Sequence, residues 1–471
     1  MAQDPSEAPQ QDLPRIVPLI AASALFLENM GATVLATALT EIARDFHVDP
    51  IDLKLALTSY LISLAVFIPA SGWVADRFGT RTVFCWAMAV FAVGSITCAF
   101  SSQIWELVAS RVVQGAGGAM MIPVARLVVV RSVSKEKLIA AMAVLTMPGL
   151  LGPIVGPPLG GFCATYLSWH WIFWINVPVA LLGILAARAR LPQIHGDGSD
   201  AFDLRGFLLS GPGLALTLIG ATTIGVEHTD HRLAAICLAA GVALLIAYVR
   251  HALRHPAPVI DLRLLGIRNF RIGMIGGFLF RVGGGAVPFL LPLYIQLGLD
   301  RTAFESGAIT FAVGIGAFAM KICANRILRW VGFRNVLVVN GLIAGMLVAI
   351  PLVFHTGMPG WVMIAILMLT GFTRSLQFTS SNAVLFADVP ADKMSRATTL
   401  MAVAQEMTGS IGITIAAVAL TIAASGMATG STGTAQFVPA FLTVAAIATS
   451  CAFVYMTLPR DVGAVLTGRR R

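Results

Sequence analysis

Seven ionisable side chains stand inside long apolar stretches of this 471-residue sequence: Glu28, Arg111, Arg126, Arg281, Lys321, Arg374 and Glu406. An unpaired charge at the centre of a lipid bilayer costs at least about 2.5–3.5 kcal/mol, so such groups pair, face water or act on protons and charged solutes. Desolvation favours the neutral form of a carboxylate at lipid depth, which suits a proton carrier. Glu28 is the first candidate for that role, and the alternative is that it merely faces water in a pore. Glu406 is the second, although Gln405, Thr408 and Ser410 beside it fit a structural hydrogen-bonded role equally well. Arg111 could pair with a group on the first or fifth helix and be released when a carboxylate protonates, or be a permanent structural pair. Arg281, Lys321 and Arg374 outnumber the one clear carboxylate of their half, Glu406. Either they pair with it and with carbonyls, or they make a cavity that attracts an anion. Lys321 could instead extend to the membrane interface. The candidate solute-binding set is Asn29, Arg281, Arg374, Gln377 and Asn382.

The elements that must hold these groups follow from composition. The chain is 57% hydrophobic and only 12% charged, with a mean hydropathy of +0.84. A soluble domain carries about 25% charged residues, so this chain lacks the polar surface that water requires. Fourteen apolar stretches, from 16–39 to 437–458, have the length that crosses a hydrocarbon core. No alternating ten-residue strands occur. The fold class expected is therefore an all-α integral membrane bundle of fourteen transmembrane helices.

Counting Lys and Arg in alternate connections gives 23 on one side and 4 on the other. That asymmetry places both termini in the cytoplasm. The net charge of +9 is explained by these short basic connections, and no basic patch interleaved with aromatics points to nucleic acid. Six cysteines lie singly in or beside apolar stretches and read as packing residues. His228/His231 and His251/His255 have suggestive spacings but lack a further Cys or His, so no metal site is expected. No nucleotide-binding motif is present, which excludes an ATP pump within this chain. No clustered nucleophile and base suggests an enzyme.

Three motifs carry mechanism. The turn 72–81 supplies Gly72, Asp76, Arg77, Gly79 and Arg81, in which glycine permits the turn, Asp76 could cap a helix and the arginines anchor at headgroups. A partial echo, Gly332 followed by Arg334, suggests a repeated half. Arg111 opens the run Arg111-Val112-Val113-Gln114-Gly115-Ala116-Gly117-Gly118. The fifth stretch holds Gly149, Gly152, Pro153, Gly156, Pro157, Pro158, Gly160 and Gly161, a bendable surface for close packing between halves.

Together these motifs resemble the signatures of the major facilitator superfamily, and the third is similar to the helix-five motif of its drug:proton antiporters. The run Trp169-His170-Trp171-Ile172-Phe173-Trp174-Ile175-Asn176-Val177-Pro178 resembles the fourteen-helix subfamily, and the likeness narrows to its MdtD-like multidrug exporters. It extends from about residue 16 to 460. The resemblance implies a major facilitator fold with two six-helix halves and two inserted helices. The expected organisation is a disordered cytoplasmic tail 1–14, a first half 15–190, inserted helices 7 and 8 with linkers 191–260, a second half 261–460 and a basic tail 461–471. Relatives commonly place an Asp where this chain has Gly31, and Glu28 lies about one turn earlier on nearly the same face.

The expected function is a proton-coupled antiporter of the bacterial inner membrane. It would export small amphipathic molecules by alternating access, as a monomeric transport unit with no cofactor other than the proton gradient. The alternative is export of an anionic metabolite or metal chelate such as citrate or iron-citrate, bound by the buried arginines.

Overall fold

The structure, a computed structural model, describes residues 16–132, 138–196, 201–223, 231–390, 393–426 and 433–459. The expected tails 1–14 and 461–471, together with Lys135, Lys137 and His228, lie outside the described residues. Among the described residues fourteen long helices follow one another: α1 (Ile16–Thr37), α2 (Lys54–Phe78), α3 (Thr80–Ala99), α4 (Ile104–Ser132), α5 (Leu138–Tyr166), α6 (Trp171–Arg190) and α7 (Leu204–Thr223) come first. They continue as α8 (His231–Arg254), α9 (Arg268–Gly298), α10 (Ala303–Val331), α11 (Phe333–Val353), α12 (Gly360–Phe386), α13 (Met394–Gly426) and α14 (Thr434–Tyr455). Each matches one apolar stretch of the sequence to within a few residues. A short helix, Leu39–Phe46, follows α1 outside the spans.

Several spans are not uniform, and the sequence shows why. α2 tightens to a 3-10 turn at Ile68–Ala70, where Pro69 removes a donor, and α11 does so at Leu347–Val353 around Pro351. α5 contains Pro148, Pro153, Pro157 and Pro158 yet remains helical, as lipid-depth helices can when neighbours satisfy the freed carbonyls. The Pro157 carbonyl also accepts the Thr37 hydroxyl at 3.1 Å.

Glycine sets how closely these helices approach. A Cβ at Gly117 would sit 2.5 Å from the Phe91 nitrogen, and one at Gly94 would sit 2.5 Å from Gln114 backbone, so α3 and α4 meet backbone to backbone. The suspected repeat is visible in the main chain. Gly79 before α3 has φ 84° and ψ 143°, and Gly332 before α11 has φ 84° and ψ 152°. Only glycine adopts that conformation without strain.

α5 packs on α10 and α2 packs on α13, forming two seams between the halves. Hydrogen bonds tie the halves together at the end opposite the arginine-rich turns. The Thr40 hydroxyl bonds the Gln296 Oε1, the Gln296 Nε2 donates to the Thr37 carbonyl at 3.2 Å, and the Phe304 amide donates to the Thr165 hydroxyl at 3.0 Å.

Candidate functional site

Between the halves lies a cavity of about 350 Å³. α1 supplies Thr33 and Thr37, α5 supplies Pro153 and Pro157, α10 supplies Thr310 and Lys321, and α12 supplies Arg374, Ser375 and Phe378. Its lining is mostly apolar, and the two charged residues that face it, Lys321 and Arg374, are both cationic. Lys321 Nζ donates to the Thr379 hydroxyl at 2.9 Å, so the lysine is held near the cavity wall.

Of the five expected solute-binding residues, the structure brings only Arg374 to this cavity. Helical periodicity explains the division on α12. Positions 371, 374, 375 and 378 share the cavity face, whereas Gln377 points away and is fully buried. The Gln377 amide accepts from Asn340 Nδ2 at 2.9 Å and donates to the Leu337 carbonyl at 3.0 Å, pinning α12 to α11. Asn382 accepts a hydrogen bond from Arg281 Nη2, and the Arg281 guanidinium lies 4.4 Å from the Phe378 ring centroid. This pair stands behind the cavity wall. Asn29 turns its amide to the Leu25 carbonyl at 2.8 Å and packs beside Gly149 and Gly152.

The carboxylates form a separate cluster. Glu28, 8% exposed on α1, interacts electrostatically with Glu406 of α13 and with Arg126 of α4. One carboxylate thus comes from each half. Tyr60 donates its hydroxyl to the Glu28 carbonyl at 3.2 Å, and a Cβ at Gly118 would lie 3.6 Å from Glu28 Cγ, so glycine there leaves room for the side chain. Arg126 had no assigned role in the sequence reading; a search for a counter-ion to the buried glutamate would have singled it out.

Arg111 is 1% exposed and does reach α1, but through the Gly31 carbonyl, to which Nη1 donates at 3.1 Å. Nε donates to the Ala56 carbonyl at 3.2 Å and Nη1 also to Gln114 Oε1 at 2.6 Å, while the guanidinium lies 4.1 Å from the Tyr60 ring centroid. These acceptors are neutral. Arg111 joins α1, α2 and α4 as a structural tie, and the expectation of a carboxylate-released switch at this residue finds no carboxylate among them.

The motif turn also differs from expectation. Asp76 caps no helix; it lies in the last turn of α2 and pairs with Arg131 Nη1 at the end of α4, 2.8 Å away. Gly72 is exposed, with open space where a Cβ would be, and Arg77 is exposed beside it, while Arg81 is half-buried. An irregular segment, 191–196, lies across the turn. The Thr80 amide donates to the Ile194 carbonyl at 2.9 Å, and Gln193 Nε2 donates to the Phe78 carbonyl at 3.1 Å. A Cβ at Gly79 would meet the Gln193 side chain at 2.2 Å.

On α5 the small-residue stripe serves two partners. Cβ atoms at Gly152, Gly156 and Gly160 would collide with α1, at the Met30 nitrogen, the Thr33 hydroxyl and the Val34 carbonyl. Of the motif glycines only Gly161 meets the other half, where a Cβ would lie 2.3 Å from the Ala303 carbonyl, while Gly307 and Gly314 of α10 answer it against Pro157 and Ile154. Most of the motif glycines therefore pack within their own half, while its prolines also face the other.

Two halves with matching glycine turns, a cavity between them and this family's motif set occur together, and residues 21–417 match the sequence profile of the Major Facilitator Superfamily. The chain belongs to that superfamily. It is 36% identical over 447 residues to a protein of Escherichia coli O1:K1 named "Putative multidrug resistance protein MdtD", covering 94% of each chain. The protein of the same name from strain K12 is 35% identical over the same share. Among solved superfamily structures, a peptide transporter of the POT family superposes with TM-score 0.69 at 17% identity over 97% of both chains. A D-xylose-proton symporter gives TM-score 0.68 at 14% identity, covering 95% of this chain and 98% of its own. The chain is accordingly a multi-pass membrane transporter of small molecules and not an enzyme.

Proposed function

We propose that this transporter is a proton-coupled antiporter exporting small amphipathic molecules across the inner membrane, with both termini in the cytoplasm. The carrying observation is the interaction of Glu28 with Glu406 across the interface between halves. Carboxylates within spans are the groups that relay protons in transporters, and having one from each half makes a proton carried there responsive to any separation of the halves. Arg126 of α4 supplies a counter-charge to Glu28 when the proton leaves. The MdtD relatives and the largely apolar cavity support amphipathic cargo. In this reading the closed end, held by Thr37, Thr40 and Gln296, faces outward, and each proton moved inward supplies roughly 2.3 kcal/mol per 100 mV.

A second reading, export of an anionic metabolite or chelate of the citrate kind, is favoured by one feature. Lys321 and Arg374 face the cavity, and no carboxylate is among its lining residues.

The deciding experiment uses inverted membrane vesicles with an imposed pH gradient. A lipophilic cation or a citrate-like tricarboxylate is added, and collapse of the gradient is recorded. Collapse with the cation, lost in Glu28→Gln, supports drug antiport. Collapse with the anion alone, lost in Arg374→Gln, supports the second reading. A gradient unaffected by either solute refutes both.

A further inference from the structure

We propose that Asp203, His251 and His255 form a binding site for a divalent transition-metal ion of the zinc type, placed where the inserted helices join the second half. Asp203 is distant in sequence from the two histidines, yet each of the three brings one ligand atom to within 4.8 Å of the other two. His251 and His255 stand four residues apart at the end of α8, with ring centroids 5.1 Å apart and planes inclined by 27°. That spacing puts two imidazoles on one side of the helix terminus. The third member comes from the residue preceding α7. Asp203 Oδ1 lies 2.8 Å from His251 Nε2.

The carboxylate is built in. Its side chain is 2% exposed and is oriented by two main-chain donors, Gly206 N at 2.8 Å on Oδ1 and Val259 N at 3.3 Å on Oδ2. His255 Nδ1 accepts the Ala257 amide at 3.3 Å, a long contact that ligation through either ring nitrogen would replace. The main-chain donors on Asp203 are outer contacts of the kind that orient metal ligands in known sites. Two imidazoles and one carboxylate are the donor set of a three-ligand zinc site with an open position, and the half-exposed side of His255 admits water to that position. Calcium and magnesium ask for more oxygen donors than are gathered here.

The ion would displace the proton between His251 and Asp203 and replace that hydrogen bond with two coordinate bonds. It would then pin the start of α7, the end of α8 and the 255–261 linker to one point. The linker is already fastened by Tyr248, whose hydroxyl donates to the Ile260 carbonyl at 2.8 Å and accepts the Ile260 amide at 2.7 Å. A metal there would stiffen the connection into the second half.

The test is zinc titration by calorimetry of the full-length protein, purified in detergent with any affinity tag removed, together with cobalt substitution read by visible absorption. One ion per chain is expected, with the intense bands of tetrahedral cobalt, and binding should weaken at least about 100-fold in His255→Gln. Because His255 is half-exposed, that variant should elute and melt like wild type without metal. Absence of stoichiometric binding in wild type, or undiminished binding in the His251→Gln/His255→Gln double variant, overturns the proposal.

Discussion

Replacing Gly161 by alanine tests whether the α5–α10 seam holds the present arrangement of the halves. The new methyl would lie 2.3 Å from the Ala303 carbonyl oxygen, 2.9 Å from its carbon and 3.0 Å from the Phe304 Cα. Optimal contacts lie at about 3.5–4.0 Å, so the helices must part by roughly 1 Å at this point. Overpacking of this kind costs about 1–3 kcal/mol. All three atoms are backbone, so no rotamer change can absorb the clash. If the seam is made in this conformation and broken in the alternative one, the penalty falls on this conformation alone. At about 1.4 kcal/mol per tenfold, the equilibrium between the two should move by about 5- to 150-fold away from the present one. Spin labels at the exposed positions Leu167 and Thr356, in a background freed of native cysteines, would report the separation of the halves at this end by pulsed dipolar spectroscopy. A longer-distance population should grow. Gly152→Ala provides the control, because its methyl would strike Asn29 and the Met30 nitrogen at 2.9 Å within one half. It should lower stability and leave the distance distribution in place. An unchanged distribution in Gly161→Ala, with a melting temperature like wild type, would refute the assignment of this seam to one conformation.

Other outcomes follow from the same geometry. Arg111→Leu should destabilise the first half by about 1–3 kcal/mol, because the Ala56 and Gly31 carbonyls and the Gln114 amide lose a buried donor; thermal unfolding in detergent should show the loss, with Arg111→Lys recovering part of it. Asp76→Asn should change melting little, since its pair with Arg131 is partly exposed and such pairs contribute about 0–1 kcal/mol; a collapse of stability would assign Asp76 a larger structural role than its geometry gives. His170, outside the spans, is held below the ordinary histidine range by burial, against an opposing pull from Asp45. The folded protein therefore binds fewer protons there than the unfolded chain, so His170 contributes stability above about pH 6.5 that is lost as pH falls. Melting temperature measured against pH should decline more steeply below that point in wild type than in His170→Gln, and superimposable profiles would contradict the assignment.

The spans were legible because lipid imposes a length and a composition on every helix that crosses it, and α1 to α14 all obeyed. The α5 motif was legible as a close-packing surface, since four prolines and several glycines have few other uses in such a helix. Its partner was not. Sequence spacing distinguishes the faces of one helix but does not say which neighbour each face meets, so Gly152, Gly156 and Gly160 turned out to serve α1. The same limit separated Arg374 from Gln377, three positions apart but on different sides of α12. Pairings across long sequence separations were hidden for another reason. Asp203 and His251 meet only because α7 and α8 run antiparallel with their ends level, and Arg126 meets Glu28 only because α4 lies beside α1. A count of intramembrane charges signalled that partners must exist without naming them.

The fastening of Thr37, Thr40 and Gln296 is polar beside a seam built largely of glycine, proline and other apolar residues. An apolar plug of equal size would expose greasy surface whenever the halves separated, and that exposure would grow costlier with every methylene. Hydroxyls and an amide behave otherwise: once the end opens, water takes over each severed hydrogen bond, and the net loss is only about 0.5–1.5 kcal/mol per bond. The closure is thus strong in direction and weak in depth, a clasp that specifies how the two halves meet while leaving release within reach of thermal motion.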